Sequence, residues 1–192
     1  MLRMSVLALC LQLPPAAWAA SGTELIAGVF DPPREAPELA LEGSHGKPLN
    51  LSDYRGKVVI LGFGFTSCTN VCPVTLAVLA QARKQLGSLG EQVQVVYVTV
   101  DPQVDSAERM RTYLEAFDPS FVGGTGSEAM LEAVREQYGI IASREEEGPN
   151  YTYAHSSYVF LIDREGRLRA LMPYGHTPED FAHDLRELLA GG

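Results

Sequence analysis

Two short stretches of this chain are almost wholly apolar and rich in β-branched residues, Val58-Val59-Ile60-Leu61-Gly62-Phe63 and Val93-Gln94-Val95-Val96-Tyr97-Val98-Thr99-Val100. Runs of that length and composition predict strands covered on both faces. Tyr158-Val159-Phe160-Leu161-Ile162-Asp163 is a third strand, and Arg164-Glu165-Gly166-Arg167 turns into a partner strand from Leu168 to Met172. Helix signals fall between and after these runs. The stretch from Val74 to Leu86 is helical and closes at Gly87 and Gly90, and Ser106 caps a helix to about Phe117. Ser127 caps one from Glu128 to Tyr138 that ends at Gly139, and Thr177 caps the last, with Pro178 at its first position and Asp180 three residues past the cap. Leu39-Ala40-Leu41 and Leu49-Asn50-Leu51, across the turn Ser44-His45-Gly46-Lys47, predict an opening β-hairpin. Phe121-Val122-Gly123-Gly124 is a short connection or strand, and Glu145-Glu146-Glu147-Gly148-Pro149-Asn150 an exposed loop.

The order is β-hairpin, βαβ, α, β-hairpin, α. It predicts a thioredoxin-like α/β fold over residues 38–192, with a central mixed β-sheet flanked by helices, an N-terminal β-hairpin and one helix beyond the minimum. Residues 20–37 show little periodicity and read as a flexible tether. Ahead of them, Arg3, the uncharged stretch Met4 to Leu13, Pro14-Pro15 and Ala17-Trp18-Ala19-Ala20 have the three parts of a secretory signal over residues 1–19, with cleavage after Ala19. An uncleaved membrane anchor is the alternative, for which the stretch is short and broken by the two prolines. Leu9 is bulky for a lipid-modified Cys10. Export points to a periplasmic protein, free or anchored to the inner membrane. The whole chain has a formal charge of −9; without residues 1–19 there remain some 170 residues, enough for one domain, and 14 Lys and Arg against 24 Asp and Glu, about −10. So acidic a surface disfavours nucleic acid and anionic lipid as partners.

Removal of the signal takes Cys10 with it and leaves only Cys68 and Cys72. A bridge closing so short a loop removes little unfolded-chain entropy, which argues for reactive or metal-binding thiols over a structural staple. The pair sits in Gly64-Phe65-Thr66-Ser67-Cys68-Thr69-Asn70-Val71-Cys72-Pro73, a strand-to-helix turn. There, unpaired backbone N–H groups and the positive helix end favour a thiolate. With Cys72 in the first helical turn, the i, i+4 spacing sets the two Cβ atoms roughly 5–6 Å apart on one face. Sulfurs that close can share a metal ion or, with adjustment, close a disulfide.

His155 lies in Tyr151-Thr152-Tyr153-Ala154-His155-Ser156-Ser157, just before the strand that starts at Tyr158. In a thioredoxin-like fold the loop leading into this strand faces the cysteine turn, and Ser157 stands where thioredoxin oxidoreductases carry a proline. Two thiolates and one imidazole suit Cu(I) in trigonal geometry, or Cu(II) with a further weak ligand. Zinc competes, but a structural zinc site takes four protein ligands and no fourth Cys or His is evident. His45, His176 and His183 read as solvated. Asp101 and Asp105 stand at the C-terminal end of the second strand, the edge where open α/β sheets bind ligands. They tune the site or dock a partner, or else serve as turn and cap residues.

Taken together, the cysteine turn, Val100-Asp101-Pro102-Gln103-Val104-Asp105, Ala116-Phe117-Asp118-Pro119 with Gly126 following, and Tyr153-Ala154-His155-Ser156 leading into Leu161-Ile162-Asp163 resemble the Sco (SenC) family of copper proteins, which assemble cytochrome c oxidase. Gly46-Lys47-Pro48-Leu49 and Leu51-Ser52-Asp53-Tyr54-Arg55-Gly56-Lys57 fit the same pattern. The resemblance implies a thioredoxin-like fold, copper held by Cys68, Cys72 and His155, and loading of the binuclear copper site of oxidase subunit II, with another periplasmic copper chaperone as a candidate donor. Two positions depart from the family pattern. Ala154 replaces the acidic residue often found before the histidine, and Val104 the basic residue common in the DPxxD segment.

The leading expectation is therefore a periplasmic copper metallochaperone whose site is lost when Cys68 and Cys72 oxidise to a disulfide. An enzyme using the same redox-active pair, a thiol–disulfide oxidoreductase that keeps the oxidase cysteines reduced, is the alternative. The CxxxC spacing and His155 favour metal over that reading. A peroxiredoxin is disfavoured, because Leu61 and Phe65 occupy the positions where it needs Pro and Thr.

Overall fold

The computed structural model describes residues 24–147 and 150–191. In chain order the strands are β1 (Gly28–Glu35), β2 (Leu41–Gly43), β3 (Pro48–Leu49), β4 (Val58–Gly64), β5 (Val93–Thr99), β6 (Val122–Thr125), β7 (Ala142–Glu147), β8 (Asn150–His155), β9 (Tyr158–Ile162) and β10 (Arg167–Pro173). The helices are α1 (Val71–Gln85), α2 (Ala107–Glu115), α3 (Glu128–Tyr138) and α4 (Pro178–Ala190). Eight strands form one mixed sheet in the order β1-β10-β9-β4-β5-β6-β2-β3, and β7 and β8 form a separate two-stranded ribbon. β4 runs parallel to β5 and antiparallel to β9, and β5 runs parallel to β6. This is the thioredoxin-like α/β arrangement that the sequence predicts.

All seven residues of β4 and all seven of β5 are buried, as strands covered on both faces must be. α1 and α4 pack against each other and α2 packs on β6. The caps are the predicted ones. Ser106 and Ser127 accept hydrogen bonds from the amides of Arg109 and Met130, and Thr177 with Asp180 closes a reciprocal capping box. Gly139 ends α3 in the left-handed region, at φ 66°.

Three expectations need correction, and one open reading is decided. α1 starts at Val71, three residues ahead of the expected Val74. Pro73 falls in the first turn, where its missing N–H has no intrahelical partner to lose. Phe121–Gly124, read as connection or strand, contributes to β6. Residues 145–147 and 150 lie in the β7–β8 ribbon, where Glu145 pairs with Thr152 and Glu147 with Asn150, so the exposed loop is mostly strand. Within the stretch expected to be a tether, residues 28–35 are β1, an edge strand antiparallel to β10. The predicted signal over residues 1–19 lies outside the described residues.

The segment leading into β1 is held to α4 by a buried acid. Asp184 is fully buried and accepts hydrogen bonds from the amides of Ile26 at 2.8 Å and Ala27 at 2.9 Å. Asp184→Ala leaves two donors unpaired, and is expected to lower unfolding free energy by about 2–4 kcal/mol in urea denaturation. An unchanged denaturation midpoint would show that these bonds do not secure the segment.

Candidate metal centre at the β4–α1 turn

β4 ends at Gly64 and the chain turns through Phe65 to Asn70 before α1 begins. Asn70 makes no side-chain cap; instead the Cys72 amide, inside the first turn, points at the Cys68 sulfur, 3.5 Å away. Both thiols are free, Cys68 half-buried and Cys72 at 1 % exposure. The Cys72 sulfur lies beneath the turn, close to the Phe65 amide and the Tyr97 hydroxyl. Burial pushes its thiol up to about 12, against the opposing pull of those two groups. The expectation that the helix end favours a thiolate therefore fails at Cys72, because loss of solvent outweighs the helix field.

His155 arrives from the end of β8. Its Nε2 lies 3.7 Å from the Cys72 sulfur and its Nδ1 2.9 Å from the Ser156 carbonyl oxygen. A carbonyl only accepts, so Nδ1 carries the proton and Nε2 presents a lone pair to the sulfur. Burial lowers the imidazole pKa, which keeps that lone pair free. Phe65 packs edge-on against both His155 and Tyr153, at centroid distances of 6.0 and 5.6 Å, and so fills the space between hairpin and turn. A cleft of about 360 Å³ between α1, α4 and β10 opens beside His155, lined in part by Val71, Val74, Met172, Tyr174 and Phe181.

The two aspartates that the sequence left between tuning and turn chemistry hold the framework. Asp105 is fully buried; it accepts from the Thr66 amide at 3.0 Å, the Thr66 hydroxyl at 2.5 Å and the Thr99 hydroxyl at 2.7 Å. It thereby ties the cysteine turn to the end of β5, and Arg109 reaches over to Thr66 and Ser67. Asp101 accepts from the Tyr151 hydroxyl at 3.0 Å, which anchors β8 and hence the strand that carries His155. Its other oxygen is buried without a partner, and burial raises its pKa. His45 is exposed in the β2–β3 turn, His176 pairs with Asp180 and His183 with Asp184, all away from the cysteines in role.

Sequence reasoning thus named Cys68, Cys72 and His155, and the fold brings Cys72 and His155 face to face with Cys68 beside them. Among the described residues, no three His, Cys, Asp or Glu side chains already stand together at metal-ligating distance. Tyr97, Phe65 and Tyr151 were missed. The available signal for Tyr97 was the pair Gly62 and Gly64, two residues apart in a strand otherwise built of large side chains.

A family model described as SCO1/SenC matches residues 31–190. The chain belongs to the SCO1/SenC family. Among its relatives, an SCO2-like protein of Rickettsia felis is 30 % identical over 152 residues, 78 % of this chain and 74 % of that one. Copper-bound ScoI of Bradyrhizobium japonicum superposes with a TM-score of 0.74 at 29 % identity, over 81 % of this chain and 99 % of that one. Apo Sco1 of Thermus thermophilus superposes at 0.71 with 33 % identity, over 89 % and 96 %. The Sco match begins at residue 31, inside β1, so it takes in part of the edge strand that the sequence reading assigned to a tether.

Two outcomes follow from this geometry. The His155 pKa lies below its unfolded value near 6.5, so the unfolded chain takes up a proton first as pH falls. His155 thus contributes stability in full above about pH 6.5, and that contribution is lost as pH drops from there toward the lower folded pKa. Urea unfolding between pH 8 and pH 5 should show a steeper acid loss in wild type than in His155→Gln; identical slopes would contradict it. Asp105→Ala should cost about 2–4 kcal/mol and speed hydrogen exchange at the Thr66 amide. Unchanged exchange there would mean that the cysteine turn is held by other contacts.

Proposed function

We propose that this Sco protein is an exported copper metallochaperone that carries one copper ion on Cys68, Cys72 and His155 to the binuclear copper site of cytochrome c oxidase subunit II. The observation that carries the reading is the 3.7 Å approach of the Cys72 sulfur to an imidazole nitrogen whose lone pair is free. A first-row metal bonded to a thiolate at about 2.3 Å and an imidazole at about 2.0 Å, with a trigonal angle between them, separates those atoms by about 3.7 Å. The gap therefore has the dimension of a bridging ion. A side-chain rotation of Cys68, which sits one turn away on the Cys72 amide, supplies the third donor. Two soft sulfurs and one borderline nitrogen select copper over hard cations.

Each residue has a part in loading and release. Cys72 is a neutral thiol without its cargo, because its pKa stands near 12. Copper binding therefore expels a proton, and affinity rises with pH. Ser156 holds the imidazole in the tautomer that coordinates. Three ligands leave one side of the ion open to incoming donors, so delivery proceeds by ligand exchange with the client. A Cys68–Cys72 disulfide removes both sulfur ligands and makes loading conditional on reduction. Support for the oxidase as client comes from family membership, and support for a periplasmic site from the signal-like residues 1–19. No helix among the described residues is long and apolar enough to cross a membrane, and attachment at the inner membrane would come from that N-terminal stretch. The acidic surface gives no basis for nucleic-acid binding.

The second reading, a thiol–disulfide oxidoreductase acting on the oxidase cysteines, draws on the asymmetry of the pair, with Cys68 half-buried and Cys72 at 1 % exposure. His155 separates the two. Titration of the reduced protein with Cu(I) against a chromophoric chelator should give one copper per chain. His155→Ala should weaken binding by more than the roughly 10–100-fold that loss of a ligand's supporting contact costs. Cys68→Ser and Cys72→Ser should weaken it far more than His45→Ala. In cells lacking the protein, His155→Ala at matched levels should fail to restore oxidase activity. Full restoration would favour the oxidoreductase.

A further inference from the structure

Glycine weakens the interior of a strand, and in a buried one it marks a place where another group comes close. Gly62 and Gly64 lie two apart in β4 and so face the same side. The parallel register sets Gly62 beside Tyr97 of β5. A Cβ at Gly62 would stand 2.9 Å from two ring carbons of Tyr97, too near for any real contact. A Cβ at Gly64 would stand 2.8 Å from the Cys72 sulfur and would collide with the Tyr97 hydroxyl. The Tyr97 ring thus lies along β4 in the space that two absent side chains leave, and its hydroxyl and the Cys72 sulfur both border the place a Gly64 side chain would take. Only 2 % of the residue is exposed.

We propose that Tyr97 is a positioning residue for Cys72: its buried phenol, admitted by Gly62 and Gly64, donates a hydrogen bond to the sulfur and biases the Cys68–Cys72 pair toward its reduced form. Disulfide formation pulls the Cys72 sulfur toward Cys68 and turns it into a poorer acceptor. The phenol then keeps no good partner, and an unmade buried hydrogen bond is costly. In the exchange itself, the two thiols give up two electrons and two protons to an external disulfide, which becomes two thiols. Tyr97 takes no part in that transfer; it changes the relative stability of its two end states. The inference rests on the reading that Cys68 and Cys72 are the working pair, and it does not require copper.

The test uses metal-free protein equilibrated with mixtures of reduced and oxidised glutathione, with the disulfide fraction measured by alkylation and mass spectrometry. Tyr97→Phe, which keeps the ring, should shift the equilibrium about tenfold toward the disulfide. A shift under twofold, or one toward the dithiol, would overturn the proposal. Incorporation of 3-fluorotyrosine at position 97 keeps the side chain and makes the phenol a stronger donor, so the shift should reverse toward the dithiol; no reversal counts against the proposal. Reduced wild-type protein should also show a slowly exchanging phenol proton by NMR that moves in Cys72→Ser and is missing in Tyr97→Phe. This effect, unlike a packing defect, tracks the hydroxyl and its sulfur. Absence of copper binding by wild type would sink the chaperone reading while the glutathione equilibrium still decides the role of Tyr97.

Discussion

The Cys72 sulfur is buried and yet faces an imidazole nitrogen, and much of the local structure follows from that placement. The residue is 1 % exposed at the first turn of α1, and its sulfur is surrounded by the Phe65 amide, the Tyr97 hydroxyl and the His155 imidazole. Burial opposes the helix field and wins, so the thiol stays protonated near neutrality. A protonated thiol beside a neutral imidazole places no net charge in the pocket. A soft cation that displaces the proton gains two ligands at once, whereas a hard cation finds no carboxylate at the sulfur. Gly64 has no side chain because any would strike the sulfur.

The sulfurs and the imidazole come from two distant parts of the chain, and two acids at the end of β5 bring them into line. Asp105 grips Thr66 in the cysteine turn, and Asp101 grips Tyr151 in the strand that ends at His155. The acids are joined through their backbones, with the Asp105 amide donating to the Asp101 carbonyl at 2.9 Å. Arg144 on β7 lies 3.8 Å over the Tyr151 ring and adds a cation–π contact to the same anchor. One short segment after β5 thus sets the turn and the ribbon against each other. This is why side chains spaced 83 residues apart can face one another at 3.7 Å.

Much of this was legible from residue pattern. Continuous apolar runs identify β4, β5 and β9 because strands buried on both faces need no alternation, and the caps of α2, α3 and α4 are written in Ser106, Ser127 and Thr177. β1 was hidden because Pro32-Pro33 and a register shift between Val29 and Arg34 break its pattern, and its partner is the open edge of β10, far along the chain. β7 was hidden because Arg144-Glu145-Glu146 is charged throughout; a two-stranded ribbon standing off the main sheet buries too little to impose a hydrophobic period. The direction of the Cys72 pKa was misjudged because helix position is local and readable, while burial depends on how β4, β5 and the turn close over the sulfur.

The two departures from the Sco pattern fall where the placement of the Cys72 sulfur and the His155 imidazole does not depend on them. Successive residues of a strand point to opposite faces. On β8, Ala154 is exposed while His155 turns inward to Cys72. An acid at position 154 would therefore project away from the sulfur and could not orient the imidazole from that side. The Ser156 carbonyl performs that task instead, and a backbone group is indifferent to substitution. Val104 lies between two acids whose own contacts are made by Asp101 and Asp105, so its side chain carries none of the framework. Ala154 is exposed and Val104 half-buried, and neither takes part in the contacts among the Cys72 sulfur, the His155 imidazole and the two acids.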